Sequence, residues 1–185
     1  MPRSSRRISG KQIFFRKRRS VPVREREEMR EGEKLCFEEY LDEFGTLTYT
    51  CRGVSMLPML RQKRDILVIT KKGPERCKKY DVALYIRPPH DYVLHRVVEV
   101  RDKDYVILGD NCLKKEYGIR DEDIIGVLSS FVRNGKTIRM DSRGQMLYAK
   151  IWYALYPARR MWKISFGRFK RLVKKVLVAL HLYRK

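Results

Sequence analysis

The spacing of apolar residues changes twice along this 185-residue chain. Residues 1–25, which contain RRISGKQIFFRKRRS, mix Arg, Lys and Ser with little periodicity and predict a disordered basic arm. From Glu27 to Glu43, Met29, Leu35, Phe37, Tyr40 and Leu41 recur at loosely helical steps among charges. This predicts a helix whose first turns are weakened by Gly32. After Gly45 the rhythm becomes that of strands: TLTYTC, DILVIT, DVALYI, YVLHRVVEV, DYVILG, DIIGVLSSFV and KTIRM. Turn-formers separate them, including KKGPER, RPPHD, Gly109-Asp110-Asn111 and Asn134-Gly135.

Seven runs at this spacing predict a mainly β fold, a compact and mostly antiparallel domain that closes on itself. Beyond Gln145 helical spacing returns in MLYAKIWYALY, which Pro157 ends or kinks. Trp162, Phe166, Phe169, Val173, Val176, Leu177 and Leu180 then recur at steps of three and four, with Arg and Lys filling the other side. The organisation expected is therefore a basic arm (1–25), a β-domain with a leading helix (26–140) and a basic amphipathic helical tail (141–185).

Charge sharpens this division. The formal net charge is +21, and nearly all of the excess lies in residues 1–25 and 133–185, leaving the segment between them close to neutral. The β-domain itself is thus no polycation, and only the ends suit anionic surfaces. The tail is expected to pack onto the β-domain, to lie on an anionic membrane surface, or to do both with different turns. The four cysteines, Cys36, Cys51, Cys77 and Cys112, form no C-x-x-C pair, so neither a zinc site nor a redox motif is signalled and no metal or cofactor is expected. No run approaches the 18 to 20 apolar residues needed to cross a bilayer. A cytoplasmic location, peripheral on the inner face of the membrane, is the expectation.

The residues that could carry chemistry are few. In GVSMLPML, Ser55 stands two residues after Gly53 and three before Pro58. The glycine permits an unusual backbone angle or close approach of a substrate chain, and the proline stiffens the exit from the turn. Three histidines could serve as its base: His90 in a turn, His181 near the end, and His95 inside a strand-like run. A neutral imidazole can accept a serine proton and later deliver it to a leaving amine. An acid must fix its tautomer. The turn LGDNCLKKE offers Asp110 and Glu116, and the residue types alone leave the choice open.

Taken in order, GVSMLPML, RQKRDILVI, KKYDVALYI, YVLHRVV, YVILGDN and IIGVL resemble the boxes of signal peptidase I and the LexA-like repressors over residues 46–132. The resemblance implies a serine endopeptidase in which Ser55 attacks, His95 stands where many relatives have lysine, and Asp110 or Glu116 orients it. It further implies a leader or propeptide substrate, cut after small residues and bound as an extended strand. Gly53, Met56 and Pro58 are expected to border that strand. Two departures matter: the second acid is Glu116 rather than aspartate, and Gly53 replaces a serine that helps to hold the oxyanion in many signal peptidases. The Ser55 backbone N–H is then the expected oxyanion donor.

Two other readings stand beside this one. A LexA-like self-cleaving regulator would need a helix-turn-helix, for which residues 1–45 are too short and too charged. A catalytically degenerate relative would act through its basic ends on membrane or nucleic acid; RRISGKQIFFRKRR suits either, although nucleic acid is the less expected partner.

Overall fold

The computed structural model describes residues 36–179, so the expected basic arm, residues 27–35 of the expected leading helix and His181 lie outside the described residues. Within them the order is a helix α1 (Phe37–Phe44), strands β1 (Thr46–Thr50), β2 (Ile66–Lys71), β3 (Val82–Arg87), β4 (Asp91–Val100), β5 (Tyr105–Leu108), β6 (Glu116–Ile119), β7 (Ile124–Arg133) and β8 (Lys136–Arg139), then helices α2 (Arg143–Ala154) and α3 (Tyr156–Ala179). The mainly β architecture expected from the strand-like runs is present. β6 is an additional strand that the apolar pattern did not signal.

All pairings are antiparallel, in the order β1-β2-β7-β3-β4-β5-β6 with β8 on β7. Residues of β1 at one end of that order and Glu116 of β6 at the other line the same cleft. The sheet is therefore rolled, with its first and last strands facing each other across an opening.

Local chemistry explains where the helices begin and end. Glu39 accepts the otherwise unpaired N–H of Cys36 at 2.9 Å, and Gly45 closes α1 at φ +68°, its N–H returning to the Leu41 carbonyl. α1 lays Phe37 and Leu41 into a core with Leu47, Leu67, Leu84, Leu128 and Phe131. On the opposite side of the sheet Tyr85, Val97, Tyr105 and Ile107 form a second core. The helical tail breaks between Ala154 and Tyr156, and Pro157 occupies the first turn of α3, where a missing N–H costs nothing. Among the described residues no helix is long and apolar enough to cross a membrane.

The long connection from β1 to β2 carries Ser55 and is tied down by charge. Asp65, fully buried, accepts Arg133 Nε at 2.9 Å and the Arg61 N–H at 2.8 Å, while Arg133 also donates to the Met59 carbonyl at 2.6 Å. Burial alone would raise the Asp65 carboxyl, but Arg133 and the Arg61 N–H together hold it below its ordinary value. Removing one partner of such a pair strands the other. Asp65→Ala should lower unfolding stability by about 3 kcal/mol, the modest end of the range for broken buried pairs because Arg133 is partly exposed. Urea denaturation followed by circular dichroism measures this.

Candidate active site

β4 places two consecutive side chains on opposite faces of the sheet, and each meets a different acid. His95, 5% exposed, faces the side of Tyr85 and Val97, and its Nδ1 stands 3.1 Å from Glu116 Oε1. Arg96, equally buried, turns the other way and grips Asp110 with two bonds, Nε to Oδ1 at 2.8 Å and Nη2 to Oδ2 at 2.9 Å. Of the two acids left open by the sequence, Glu116 is the one beside the histidine. Asp110 is committed to Arg96 and to the Tyr148 hydroxyl at 3.1 Å.

Ser55, half-buried, and His95 line the same cleft, a space of about 810 Å³ whose floor is apolar, with Leu47, Met56 and Leu60 among its walls. Gly53 and Met56 border this cleft. Pro58 does not: it lines a separate groove with Trp162 of α3. Gly53 adopts φ +85°, a conformation that a side chain would strain, and its N–H donates to Gln62 Oε1 at 3.1 Å. His90 lies exposed in the turn before β4.

No hydrogen bond joins the Ser55 hydroxyl to His95. Among the described residues neither that hydroxyl nor the Ser55 N–H is paired, and Cys112 Sγ stands 4.0 Å from the outer ring nitrogen, Nε2. With Nδ1–H assigned to the Glu116 side, Nε2 is the lone-pair nitrogen, on the side of Cys112. Burial holds the imidazole below its ordinary 6.5, against the raising pull of Glu116. Burial also pushes the Cys112 thiol up, with Glu116 adding to it, so the sulfur is a neutral thiol near pH 7. Burial and Glu116 likewise raise Tyr85, whose hydroxyl lies 3.4 Å from Nδ1 and remains protonated.

Three further residues hold this arrangement, Arg96 in β4 and Gly109 and Asn111 in the loop after β5. A Cβ on Gly109 would fall 2.8 Å from His95 Nε2 and 2.6 Å from Cys112 Sγ, so only glycine lets the ring sit where it does. Asn111 binds the Ser55 turn, its N–H donating to the Ser55 carbonyl at 2.7 Å and its Nδ2 to the Val54 carbonyl at 3.0 Å. Arg96 reaches the same turn through Nη2, 2.8 Å from Met59 Sδ. The only sequence signal for these roles was the contiguous Gly-Asp-Asn itself.

The loop that carries the acids is braced from behind by the tail. Trp152 Nε1 and Arg159 Nη1 donate to the Asp110 carbonyl at 2.9 and 2.8 Å, the Tyr156 hydroxyl donates to the Leu113 carbonyl at 2.8 Å, and Lys163 Nζ donates to the Asn111 carbonyl at 2.7 Å. Packing of the tail against the β-domain is thus real for α2 and the first turns of α3.

Among the described residues no three His, Cys, Asp or Glu side chains stand close enough to hold a metal ion. The rim of the cleft is cationic, with Arg52, Arg87, Lys114 and Lys115 around it and Arg87 reaching Glu116 at 3.4 Å. Comparison of the chain with family models, with curated proteins and with solved structures returned no match.

The geometry makes a prediction independent of any activity. Nuclear magnetic resonance titration should place His95 below 6.5, and Glu116→Gln should lower it further, because the raising interaction is lost while burial remains. A folded ring that binds its proton less readily than the unfolded one withdraws stability as pH falls through 6.5 towards the folded value. A rise in the His95 value on Glu116→Gln would contradict the contact.

Proposed function

We propose that this chain is a serine endopeptidase of the signal-peptidase and LexA-like kind, acting on an extended segment of a peptide or protein laid in the cleft. The observation that carries the reading is a buried histidine held against Glu116 through Nδ1 and lining, together with Ser55, one apolar cleft. The order of the boxes from GVSMLPML to IIGVL supports the same conclusion.

In this reading the Ser55 Oγ attacks the scissile carbonyl carbon while His95 Nε2 takes the hydroxyl proton, and Glu116 stabilises the imidazolium through Nδ1–H. The oxyanion is received by the Ser55 N–H, which has no other acceptor among the described residues. Collapse breaks the C–N bond, and the proton on Nε2 passes to the departing amine, leaving an ester on Ser55. Water, deprotonated by the same nitrogen, then attacks the ester carbonyl; the bond to Oγ breaks, the proton on Nε2 returns to Ser55 and the new carboxylate leaves. The separation of Ser55 from the ring closes when a substrate orders the turn, as catalytic hydrogen bonds often tighten only in the complex. The exposed edges of β1 and β6 supply backbone groups along which an extended chain can pair. The cationic rim favours substrates with acidic residues near the cut.

Cys112 offers a second nucleophile, since its sulfur stands 4.0 Å from Nε2. Its raised thiol argues against that role. Mass spectrometry of a peptide library, with small residues and varied flanking charge, separates the two. Ser55→Ala and His95→Ala should abolish products, Glu116→Gln should reduce turnover by roughly 10²–10⁴-fold, and Cys112→Ala should still cleave. Loss of cleavage in Cys112→Ala with retention in Ser55→Ala would reverse the assignment.

The pH profile follows from the base. Because His95 must be neutral to accept a proton and burial depresses its value, activity should be at its plateau at pH 7 and fall only on acidification below 6.5. A midpoint above 6.5 in the dependence of kcat/KM would sink the role given to His95.

A further inference from the structure

Beyond Lys163 the tail leaves the body of the protein, and its apolar face is left uncovered. Trp162 is 74% exposed, Phe169 61% and Leu172 60%, with Phe166, Val173 and Val176 also open to solvent. Burying such a stripe is what drives an amphipathic helix onto a partner, and nothing else among the described residues covers it. On the helix the stripe runs through 162, 166, 169, 173 and 176, and Arg168, Lys170, Arg171, Lys174 and Lys175 occupy the remaining surface. After Asp141 the sequence contains no acidic residue at all.

Charge decides which occupant fits. A second copy of this helix would bring an equally basic surface, and residues 1–25 are themselves strongly basic, so both would be repelled. A nucleic acid would pair with the cations and leave the aromatic stripe in water. An anionic bilayer satisfies both sides of the helix at once: lysines and arginines meet phosphate headgroups, and Trp162, Phe166 and Phe169 enter the acyl boundary beneath them.

We infer that α3 from Trp162 onward docks on an anionic membrane surface and holds the Ser55 turn beside it. Trp162 shares a groove of about 490 Å³ with Leu57 and Pro58, two and three residues after Ser55, and Val54 on the preceding position is 53% exposed. The apolar face of α3 is thus continuous with the outside of the Ser55 turn. Docking then sets the mouth of the cleft at the lipid surface, where a membrane-apposed peptide would meet it; that last step rests on the peptidase reading, whereas docking does not.

The test is co-sedimentation of the full-length chain with sucrose-loaded vesicles, read without any cleavage. Wild type should bind vesicles containing phosphatidylglycerol, bind pure phosphatidylcholine far more weakly, and lose affinity as salt rises. The double variant Phe166→Glu and Phe169→Glu, whose side chains lie on the surface, should keep its circular dichroism and bind the anionic vesicles about tenfold or more weakly. Ser55→Ala should bind like wild type. Unchanged binding by the double variant would assign membrane contact to the basic N-terminal residues and overturn the proposal. So would failure of wild type to bind vesicles, with or without binding to a single-stranded RNA probe. Failure of the peptidase reading leaves every one of these outcomes intact.

Discussion

The buried ion pair between Arg96 and Asp110 is the constraint on which the site depends. Both side chains are 3% exposed, and two charges taken out of water are tolerable only when each is fully engaged. Here they are: Arg96 also donates to the Tyr80 carbonyl at 3.0 Å, and Asp110 also accepts the Tyr148 hydroxyl. The pair fastens the middle of β4 to the loop after β5. Because Arg96 follows His95 in an extended strand, fixing one side chain on its face fixes the other on the reverse face. Glu116, six residues after Asp110, is then delivered to Nδ1 by the short strand that it begins.

Two acids that look interchangeable in the text therefore carry different loads. Asp110 holds the loop in place, and Glu116 faces the ring. Such a division is common where polar groups are buried together, since a carboxylate already paired with a guanidinium has little left for a neighbouring imidazole. It also explains why Gly109 must be small. The loop runs so close beneath the histidine that a single methyl group would collide with the ring.

Much of this fold was legible because alternation and turn chemistry agree along the chain. Each of the seven strand-like runs became a strand within a residue or two, and the helix break fell next to Pro157. β6 escaped because Glu116, Tyr117 and Gly118 give it no apolar periodicity; it exists through pairing with β5, a tertiary cause. The choice between Asp110 and Glu116 could not be read either, since it depends on which face of β4 each acid reaches across the sheet. Ser55, His95, Gly53 and Met56 were brought to one cleft, while Pro58, chosen for stiffness, turned out to serve the groove under Trp162. Asn111 was overlooked because a turn asparagine usually bonds only to its own neighbours, whereas this one binds the Ser55 turn across the molecule.

The amide linking Asp110 to Asn111 bridges the helical tail and the Ser55 turn. Its oxygen receives Trp152 and the cationic Arg159 from the tail, and its N–H is given to the Ser55 carbonyl. A positive charge drawn against a peptide oxygen pulls electron density along the C–N bond and makes the attached hydrogen a stronger donor. One planar unit thus conducts polarisation from the helical tail into the backbone of the residue that would do the chemistry, without any side chain having to move.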